Sequence, residues 1–158
     1  MQLVFKPFDL LTPRELYEAV RLRNEVFVVE QNCVFQDADG KDGNCFHLLI
    51  YKENVLVAYS RLVPPGISYP EPSIGRVVTS LLVRRKGMGR ILMNQSIERL
   101  YGLYGRVDIK IGAQLYLHDF YGSFGFKQCS EVYDEDGIEH IEMLLKASSL
   151  PLMAAIDE

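Results

Sequence analysis

The segment Arg84-Arg85-Lys86-Gly87-Met88-Gly89 contains the residue types and spacing that point most directly to chemistry. Its two glycines leave the backbone open to a bulky anion, because no Cβ stands in the way. A helix that begins at Gly87 leaves its first backbone N–H groups without partners, and these groups favour a phosphate. With Arg90, the segment also forms the dense basic cluster of a chain whose net charge is −4. It therefore predicts a site for a small polyanion, with a solvated basic turn as the alternative.

Two widespread phosphate loops do not fit this segment. A Walker loop needs Gly-Lys-Ser/Thr, which does not follow here. The dinucleotide fingerprint needs a third glycine, and Arg90 and Ile91 follow instead. A glycine-bearing turn that enters a helix remains the structural alternative.

The composition narrows the class of protein. The chain has 158 residues, of which 48% are hydrophobic and 24% charged, as in a globular protein with one core. No apolar run approaches the ~20 residues of a membrane span. Three cysteines without a CxxC pair argue against disulfides and zinc, and suit a reducing cytosol. We predict one cytoplasmic domain over residues 1–158 with an uncertain tail at 148–158, and no metal, nucleic-acid or membrane partner.

The elements that position the basic segment follow from hydrophobic periodicity and turn residues. Strands are predicted over 2–5, 46–51, 55–63, 74–83, 107–113, 125–133 and 138–145. Helices are predicted from Thr12 to about Gln31, over 87–101 and over 114–121. Tight turns are expected at Glu53-Asn54 and within 134–137, and a hydrogen-bonded polar loop over 36–44. The order β-α-β-β-β-α-β-α-β-β predicts an α/β fold, an α+β mixed sheet with helices against it and right-handed crossovers.

A second motif, Gln114-Leu115-Tyr116-Leu117-His118-Asp119-Phe120-Tyr121-Gly122-Ser123-Phe124-Gly125-Phe126, lies downstream of the basic segment. The two motifs together resemble the signatures of the GCN5-related N-acetyltransferase (GNAT) superfamily, R/Q-x-x-G-x-G/A and N-x-x-A-x-x-hydrophobic-Y-x-x-x-G-F. Gln114 stands at the usual Asn and Leu117 at the usual Ala. The segments at 23–31, 37–42, 74–78 and 113–114 are similar to the ElaA-like acetyltransferases. The resemblance extends from about residue 8 to residue 145.

This resemblance implies the GNAT acyl-CoA N-acyltransferase fold, with acetyl-CoA as the donor. It implies a β-bulge within residues 77–83, which splays this strand from the strand at 107–113. The pantetheine arm would then pair with exposed backbone as an added strand does. The implied cofactor-binding residues are Val77, Val78, Thr79, Leu82, Val83, Arg84, Arg85, Lys86, Gly87, Met88, Gly89, Arg90, Gln114, Phe120 and Tyr121.

The chemistry of acetyl transfer to an amine suggests the catalytic residues. Tyr121 occupies the general-acid position of the family, with an amphipathic tyrosine packed under the cofactor as the alternative. Unperturbed phenol and thiol pKa values are about 10 and 8.5, so proton transfer needs the phenol pKa lowered or the thiol pKa raised. Glu30 and His140 are equal candidates for the general base, beside a water chain without any base. His47 is expected in the core and His118 on the surface.

The predicted function is an acetyl-CoA-dependent N-acetyltransferase that acts on a primary amine of a small molecule or peptide. The alternatives are a CoA-binding sensor without transfer activity and an acyltransferase that uses longer acyl-CoA. The acceptor pocket is expected between the first helix with its following loop, residues 64–72 and the closing hairpin. The acidic run at 134–136 is expected at a hairpin tip, where it could attract a cationic acceptor. The acceptor is not identified, and a homodimer is left open.

Overall fold

Two antiparallel sheets form the framework of the protein, in a computed structural model that describes residues 1–149. The first sheet has the order β1-β2-β3-β4. The second has the order β5-β8-β6, with β7 also paired to β8. The strands are β1 (Gln2–Pro7), β2 (Phe46–Lys52), β3 (Val55–Val63), β4 (Ser73–Thr79), β5 (Ile109–Gln114), β6 (Lys127–Gln128), β7 (Tyr133–Glu135) and β8 (Ile138–Leu145).

The sheets meet at β4 and β5, where the predicted splay is observed. Lys110 N donates to Pro72 O at 3.1 Å where both strands begin, and no ladder joins the two strands within residues 1–149. This corrects the single mixed sheet expected from the element order. The α/β fold is confirmed, but each pairing among the described strands is antiparallel because β4 and β5 separate where a parallel ladder would form.

Three helices pack against these sheets: α1 (Pro13–Arg23), α2 (Met88–Tyr104) and α3 (His118–Gly122). Alternate residues of a strand face opposite sides of its sheet. In β2, Leu48 lies in the core cluster that contains Leu92 of α2, whereas Leu49 lies in the cluster that contains Ala19 of α1. The first sheet is therefore covered by α2 on one face and by α1 on the other.

The first helix begins where the sequence predicts and changes its winding before it ends. Thr12 and Glu15 form a capping box at its start. After Arg23 the chain continues as a π-helix over Asn24–Glu30, in which Gln31 N donates to Val26 O at 3.0 Å. A π-helix turns the following side chains relative to an α-helix and is frequent at functional sites. Here it leads into the cavity described below.

The strand before the basic segment is shorter than expected. β4 ends at Thr79, and Leu81–Val83 form a 3₁₀ turn in which the Ser80 hydroxyl accepts from Leu82 N at 3.2 Å. The bulge lies at the start of the predicted range 77–83 and includes the residue just before it. Tyr59 pairs with Val78 and Arg61 with Gly75, so Arg76 and Val77 of β4 face one residue of β3.

The tight turns match their predictions. Glu53 and Asn54 have φ of 51° and 65°, and Asp136 and Gly137 have φ of 53° and 83°. Positive φ at both central residues is the requirement of a type I′ hairpin turn. The part of the predicted tail from residue 150 onward lies outside the described residues. Among the helices of residues 1–149, none is both long enough and apolar enough to cross a bilayer.

Candidate active site

A pocket of about 460 Å³ opens between the splayed ends of β4 and β5. The pocket is bordered by Gly89 of α2 and by the β7–β8 turn at Asp136. The π-helix contributes Phe27 and Glu30 to a further wall. The volume is that of a small-molecule site. The arrangement places a helix N-terminus and a rim with acidic side chains on one continuous cavity.

The basic segment forms the loop that starts α2. Gly87 is the N-cap residue with φ of 80°, and no side-chain hydrogen bond caps the helix. The first amides of a helix of 17 residues are therefore available to an anion. Arg85 and Lys86 are exposed beside them. These features fit a pyrophosphate group, which combines small size with high negative charge.

Gly89 gives this loop its close approach to the pocket. A Cβ at Gly89 would stand 3.4 Å from Cζ of Phe120. Arg90 points elsewhere, because its Nη2 donates to Ser123 Oγ at 2.8 Å and its guanidinium lies 4.8 Å from the ring centroid of Phe124. A larger side chain at position 89 would enter the space that the anion needs.

Apart from Arg85, Lys86, Gly87 and Arg90, which are described above, the predicted cofactor residues divide into two groups. Those that line the pocket are Val77, Val78, Thr79, Arg84, Gly89, Gln114, Phe120 and Tyr121. The side chains of Val83 and Met88 instead lie in the hydrophobic core, and that of Leu82 is 67% exposed outside the pocket lining. The 3₁₀ turn and the first turn of α2 direct these three side chains away from the pocket, so a contact of these residues with the cofactor would be made through their backbone.

Arg84 links the basic loop to the π-helix. Its Nη1 and Nη2 donate to the two carboxylate oxygens of Glu30, the latter at 2.7 Å, and Nη2 also donates to Thr79 O at 3.3 Å. The hydrogen bonds from Arg84 lower the pKa of Glu30. A carboxylate held in this way is a weaker base than a free one. Its geometry is that of a brace between two elements.

Tyr121 lies deep in the pocket wall. Its side chain packs edge-on against the rings of Phe120 and Phe126, and the residue is 7% exposed. Burial raises the pKa of Tyr121 well above that of a free phenol. The phenol is thus a proton-bearing group at every physiological pH. Burial therefore acts against a lowered phenol pKa, which is one of the two conditions that would permit proton transfer from Tyr121.

His140 of β8 lines the pocket with a defined tautomer. Its Nδ1 lies 2.8 Å from the carbonyl oxygen of Ile138, so Nδ1 carries a proton and donates it. The other ring nitrogen, Nε2, lies 3.2 Å from Oε2 of Glu135. Tyr133 stacks on the ring at a centroid distance of 5.9 Å. A proton that arrives on Nε2 would be held by the Glu135 carboxylate.

The other two histidines lie outside the pocket lining. His47 is 1% exposed, its Nε2 lies 2.9 Å from Asp42 O, and its Nδ1 lies 2.7 Å from Tyr59 Oη. Burial lowers the pKa of His47, which makes it a neutral core residue as expected. The His118 side chain is 46% exposed and contacts the adjacent Asp119, as expected of a surface residue.

Several pocket residues had no place among the predicted site residues: Gln31, Cys33, Phe35, Arg76, Glu135 and Asp136. Gln31 and Gln114 exchange side-chain amide hydrogen bonds of 3.3 Å across the splay. Cys33 Sγ donates to Asp136 O at 3.2 Å. The acidic hairpin tip was recognised in the sequence, but its meeting with the segment after the π-helix depends on contacts between residues about a hundred positions apart.

Comparisons with known proteins agree with this geometry. Residues 14–147 match the acetyltransferase (GNAT) domain family. Protein ElaA of Escherichia coli is 42% identical over 135 residues, which cover 84% of this chain and 88% of ElaA. The crystal structure of Escherichia coli ElaA superposes with a TM-score of 0.85 at 38% identity, and covers 92% of this chain and 99% of its own.

A second solved structure, an acyl-CoA N-acyltransferase from Pseudomonas aeruginosa, has a TM-score of 0.86 at 38% identity. It covers 91% of this chain and 99% of its own. The family, the sequence relative and both structures extend across the strands, the basic loop and the closing hairpin that build the pocket. This chain therefore belongs to the GNAT acyltransferase family, within its ElaA-like subgroup.

Proposed function

We propose that this protein transfers the acetyl group of acetyl-CoA to the primary amine of a small molecule or peptide, by direct attack on the thioester. The observation that carries the proposal is the continuity of one pocket. The same cavity is bordered by the start of α2 at Gly89, the open edge of β4, Tyr121 and His140. A donor and an acceptor can therefore meet in it.

The donor end follows from the charge and backbone of the basic loop. The uncapped amides at the start of α2 would hold the pyrophosphate, with Arg85 and Lys86 nearby. From there the open edge of β4, at Val77, Val78 and Thr79, leads along the pocket toward Tyr121. A pantetheine arm has amides that can pair with such an edge.

The reaction requires two proton movements at the pocket wall. The thioester of the donor supplies an activated acyl carbon, to which the amine nitrogen bonds as the C–S bond breaks. His140 Nε2 would take the proton that the attacking nitrogen loses, and Glu135 would stabilise the resulting imidazolium. Tyr121 would give a hydrogen bond and then its proton to the departing thiolate. Burial in the same apolar pocket raises thiol pKa values, which favours this second transfer.

His140 is preferred over Glu30 as the base because the two residues have different partners. The Glu30 carboxylate is engaged by Arg84, which lowers its pKa. The hydrogen bond from Nδ1 of His140 to Ile138 O leaves Nε2 as the nitrogen that would carry the lone pair in the neutral ring, and the neighbouring Glu135 would stabilise a proton taken there. A base needs an available lone pair next to the proton that it removes. Glu30 then serves to join the donor loop to the acceptor side.

The acceptor enters, in this proposal, at the end of the pocket that Glu135 and Asp136 border. A primary amine arrives in water mostly as an ammonium ion, and carboxylates attract it. It must release one proton to solvent before the attack, because an ammonium nitrogen has no lone pair, and His140 would take the second proton. Phe35 and Ile138 supply apolar surface beside them. These side chains suit an amine carried on an aliphatic stem.

The experiment measures binding first and transfer second. Calorimetric titration with acetyl-CoA should give saturable binding, and Gly89→Glu should abolish it by placing an anion against the pyrophosphate. Gly102→Glu is the matched control: it makes the same substitution in the same helix, where an added Cβ meets no atom within 4 Å. Its affinity should equal that of the unmodified protein. The release of free thiol is then followed over a panel of amines, polyamines and peptides.

The outcomes separate the proposed function from its alternatives. The absence of binding at millimolar acetyl-CoA would contradict the whole proposal. Binding without thiol release for every acceptor would instead indicate a CoA-binding sensor. A higher affinity for octanoyl-CoA than for acetyl-CoA would show that the protein uses a longer acyl chain.

A further inference from the structure

The bulge in β4 has an arginine at a position that usually needs glycine. Arg76 has φ of 50°, in the left-handed region, and with Val77 it faces a single residue of β3. The corresponding bulge residue is commonly glycine, because a Cβ disfavours this backbone conformation. Strained residues persist where the surroundings determine their conformation, often at functional sites. The contacts of its side chain hold Arg76 in this conformation.

Three polar contacts and one aromatic ring surround the guanidinium of Arg76. Its Nη2 donates to Asp37 O at 2.9 Å and to Asp39 Oδ2 at 3.3 Å. Its Nε lies 2.9 Å from Asp37 Oδ1 as an ion pair. The guanidinium also lies 5.8 Å from the ring centroid of Phe35. All of these partners belong to the segment that follows the π-helix.

The partners of Arg76 are themselves held by other arginines. Arg23 Nε donates to Asp37 Oδ2 at 2.8 Å, and Arg61 donates to both oxygens of Asp39 at 2.8 Å. Arg23 is 0% and Asp37 5% exposed, so these contacts are little screened by water. We name this set the arginine–aspartate cluster; its members are Arg23, Arg61, Arg76, Asp37, Asp39 and Asp42. Three cations balance three anions, which makes the cluster a neutral and rigid anchor.

We propose that Arg76 is a positioning residue that fixes the bulge of β4, so that the edge of this strand stays turned toward the pantetheine arm of the donor. The inference rests on the proposed function. Val77, Val78 and Thr79 directly follow Arg76 and line the pocket. If the bulge closed, the pairing of these residues with β3 would shift by one position and exchange their faces. Arg76 prevents that shift through an anchor outside the strand.

The test compares two ligands that share one end. CoA contains the pantetheine arm, whereas adenosine 3′-phosphate 5′-diphosphate contains only the part that the α2 loop would bind. Arg76→Asn keeps a residue that tolerates left-handed φ and removes the guanidinium. We expect it to weaken CoA binding by about 10-fold or more and the fragment by less than about 2-fold. Arg76→Lys, which retains the charge without the planar fork, should lie between Arg76→Asn and the unmodified protein.

A matched control is available in the same sheet. Glu53 has φ of 51° in the turn between β2 and β3, so Glu53→Gly changes a residue of the same conformation away from the pocket. Both affinities should be unaffected by this change. If the Arg76→Asn variant is unfolded at the temperature of the titration, the Arg76→Lys variant provides the comparison.

Two results would overturn the inference and leave the proposed function intact. In the first, the folded Arg76 variants bind CoA as tightly as the unmodified protein. In the second, their affinities for CoA and for the fragment fall by the same factor, which would indicate general destabilisation. If the unmodified protein does not bind CoA, the proposed function itself fails and the inference fails with it.

Discussion

Burial determines the proton chemistry of single residues in this pocket, and Tyr121 shows the effect most directly. Its position in the second motif implied a general acid, which requires a proton but also some readiness to lose it. The structure raises the pKa of Tyr121 by burial, so the proton is present and tightly held. In the proposed reaction, the leaving thiolate must therefore be a strong base when it takes this proton. An apolar pocket raises the pKa of the thiol as it raises the pKa of the phenol.

Replacing Tyr121 by phenylalanine should lower kcat about 100-fold, because the thiolate loses its proton donor. The affinity for acetyl-CoA should change by less than about 2-fold, since the ring still packs against Phe120 and Phe126. Since the pKa of Tyr121 is raised, any loss of rate between pH 7 and 10 must come from another group. Thiol-release rates across this pH range and calorimetry provide the measurements. The control is Tyr116→Phe, at an exposed tyrosine that lines the same pocket, and it should leave kcat unchanged. An unchanged kcat for Tyr121→Phe would show that Tyr121 is not the general acid.

The two candidate bases differ in what already binds them. We expect His140→Asn to reduce kcat about 100-fold and Glu30→Gln to change it by less than about 5-fold at neutral pH. Steady-state rates at saturating acetyl-CoA and acceptor would measure both effects. His118→Asn, at a histidine outside the pocket, should match the unmodified protein. A large loss with Glu30→Gln and none with His140→Asn would reverse the assignment.

Most elements follow from local patterns, and the exceptions are irregular. The capping box at Thr12 and the turn at Glu53-Asn54 are local features, and both occur where the sequence predicts. The π-helix at Asn24–Glu30 has no such local signature; within it, Val26 packs in the core cluster of α1. The bulge at Arg76 is equally irregular. A non-glycine residue in left-handed conformation is held by partners far along the chain, so its position could not be read from β4.

At the scale of the whole molecule, the arginine–aspartate cluster joins α1, β3, β4 and the loop that follows the π-helix. Burial by itself would raise the pKa of Asp39, but hydrogen bonds from Arg61 and from Lys41 N outweigh it and the net pKa is lowered. The pKa of Asp42 is also lowered, because the contacts with Arg61 and Arg23 outweigh the effect of burial, which by itself would raise it. Carboxylates with lowered pKa stabilise the folded state above their unfolded pKa of about 4, and this stabilisation is lost as the pH falls through the folded pKa.

The melting temperature should therefore be constant near neutral pH and fall steadily below about pH 4. Thermal unfolding followed by circular dichroism at several pH values would measure this dependence. Asp39→Asn should lower the melting temperature at neutral pH and flatten its decline in acid, because one of the responsible carboxylates is gone. A variant with the same decline as the unmodified protein would show that the cluster does not control acid stability.

The sequence by itself predicted the basic loop at the start of α2, the order of the elements as far as α3, and the family. The single strand predicted over 125–133 is replaced by two short strands, β6 and β7. Glycine spacing, the second motif and hairpin turns are local features, and the physics that they express acts within a few residues. Tyr121 could be named for the same reason. Its pKa could not, because that depends on the rings and strands that surround it.

The tertiary structure decided which of these residues meet and with what partners. Glu30 and His140 were equal in the sequence; the ion pair with Arg84 and the hydrogen bond to Ile138 O distinguish them. In the sequence, Arg76 was only part of a segment similar to the ElaA-like acetyltransferases, and no role was predicted for it. Its role depends on Asp37 and Asp39, which lie nearly forty positions away. Ion pairs and burial act between residues that folding brings together, and local patterns carry no record of those distances.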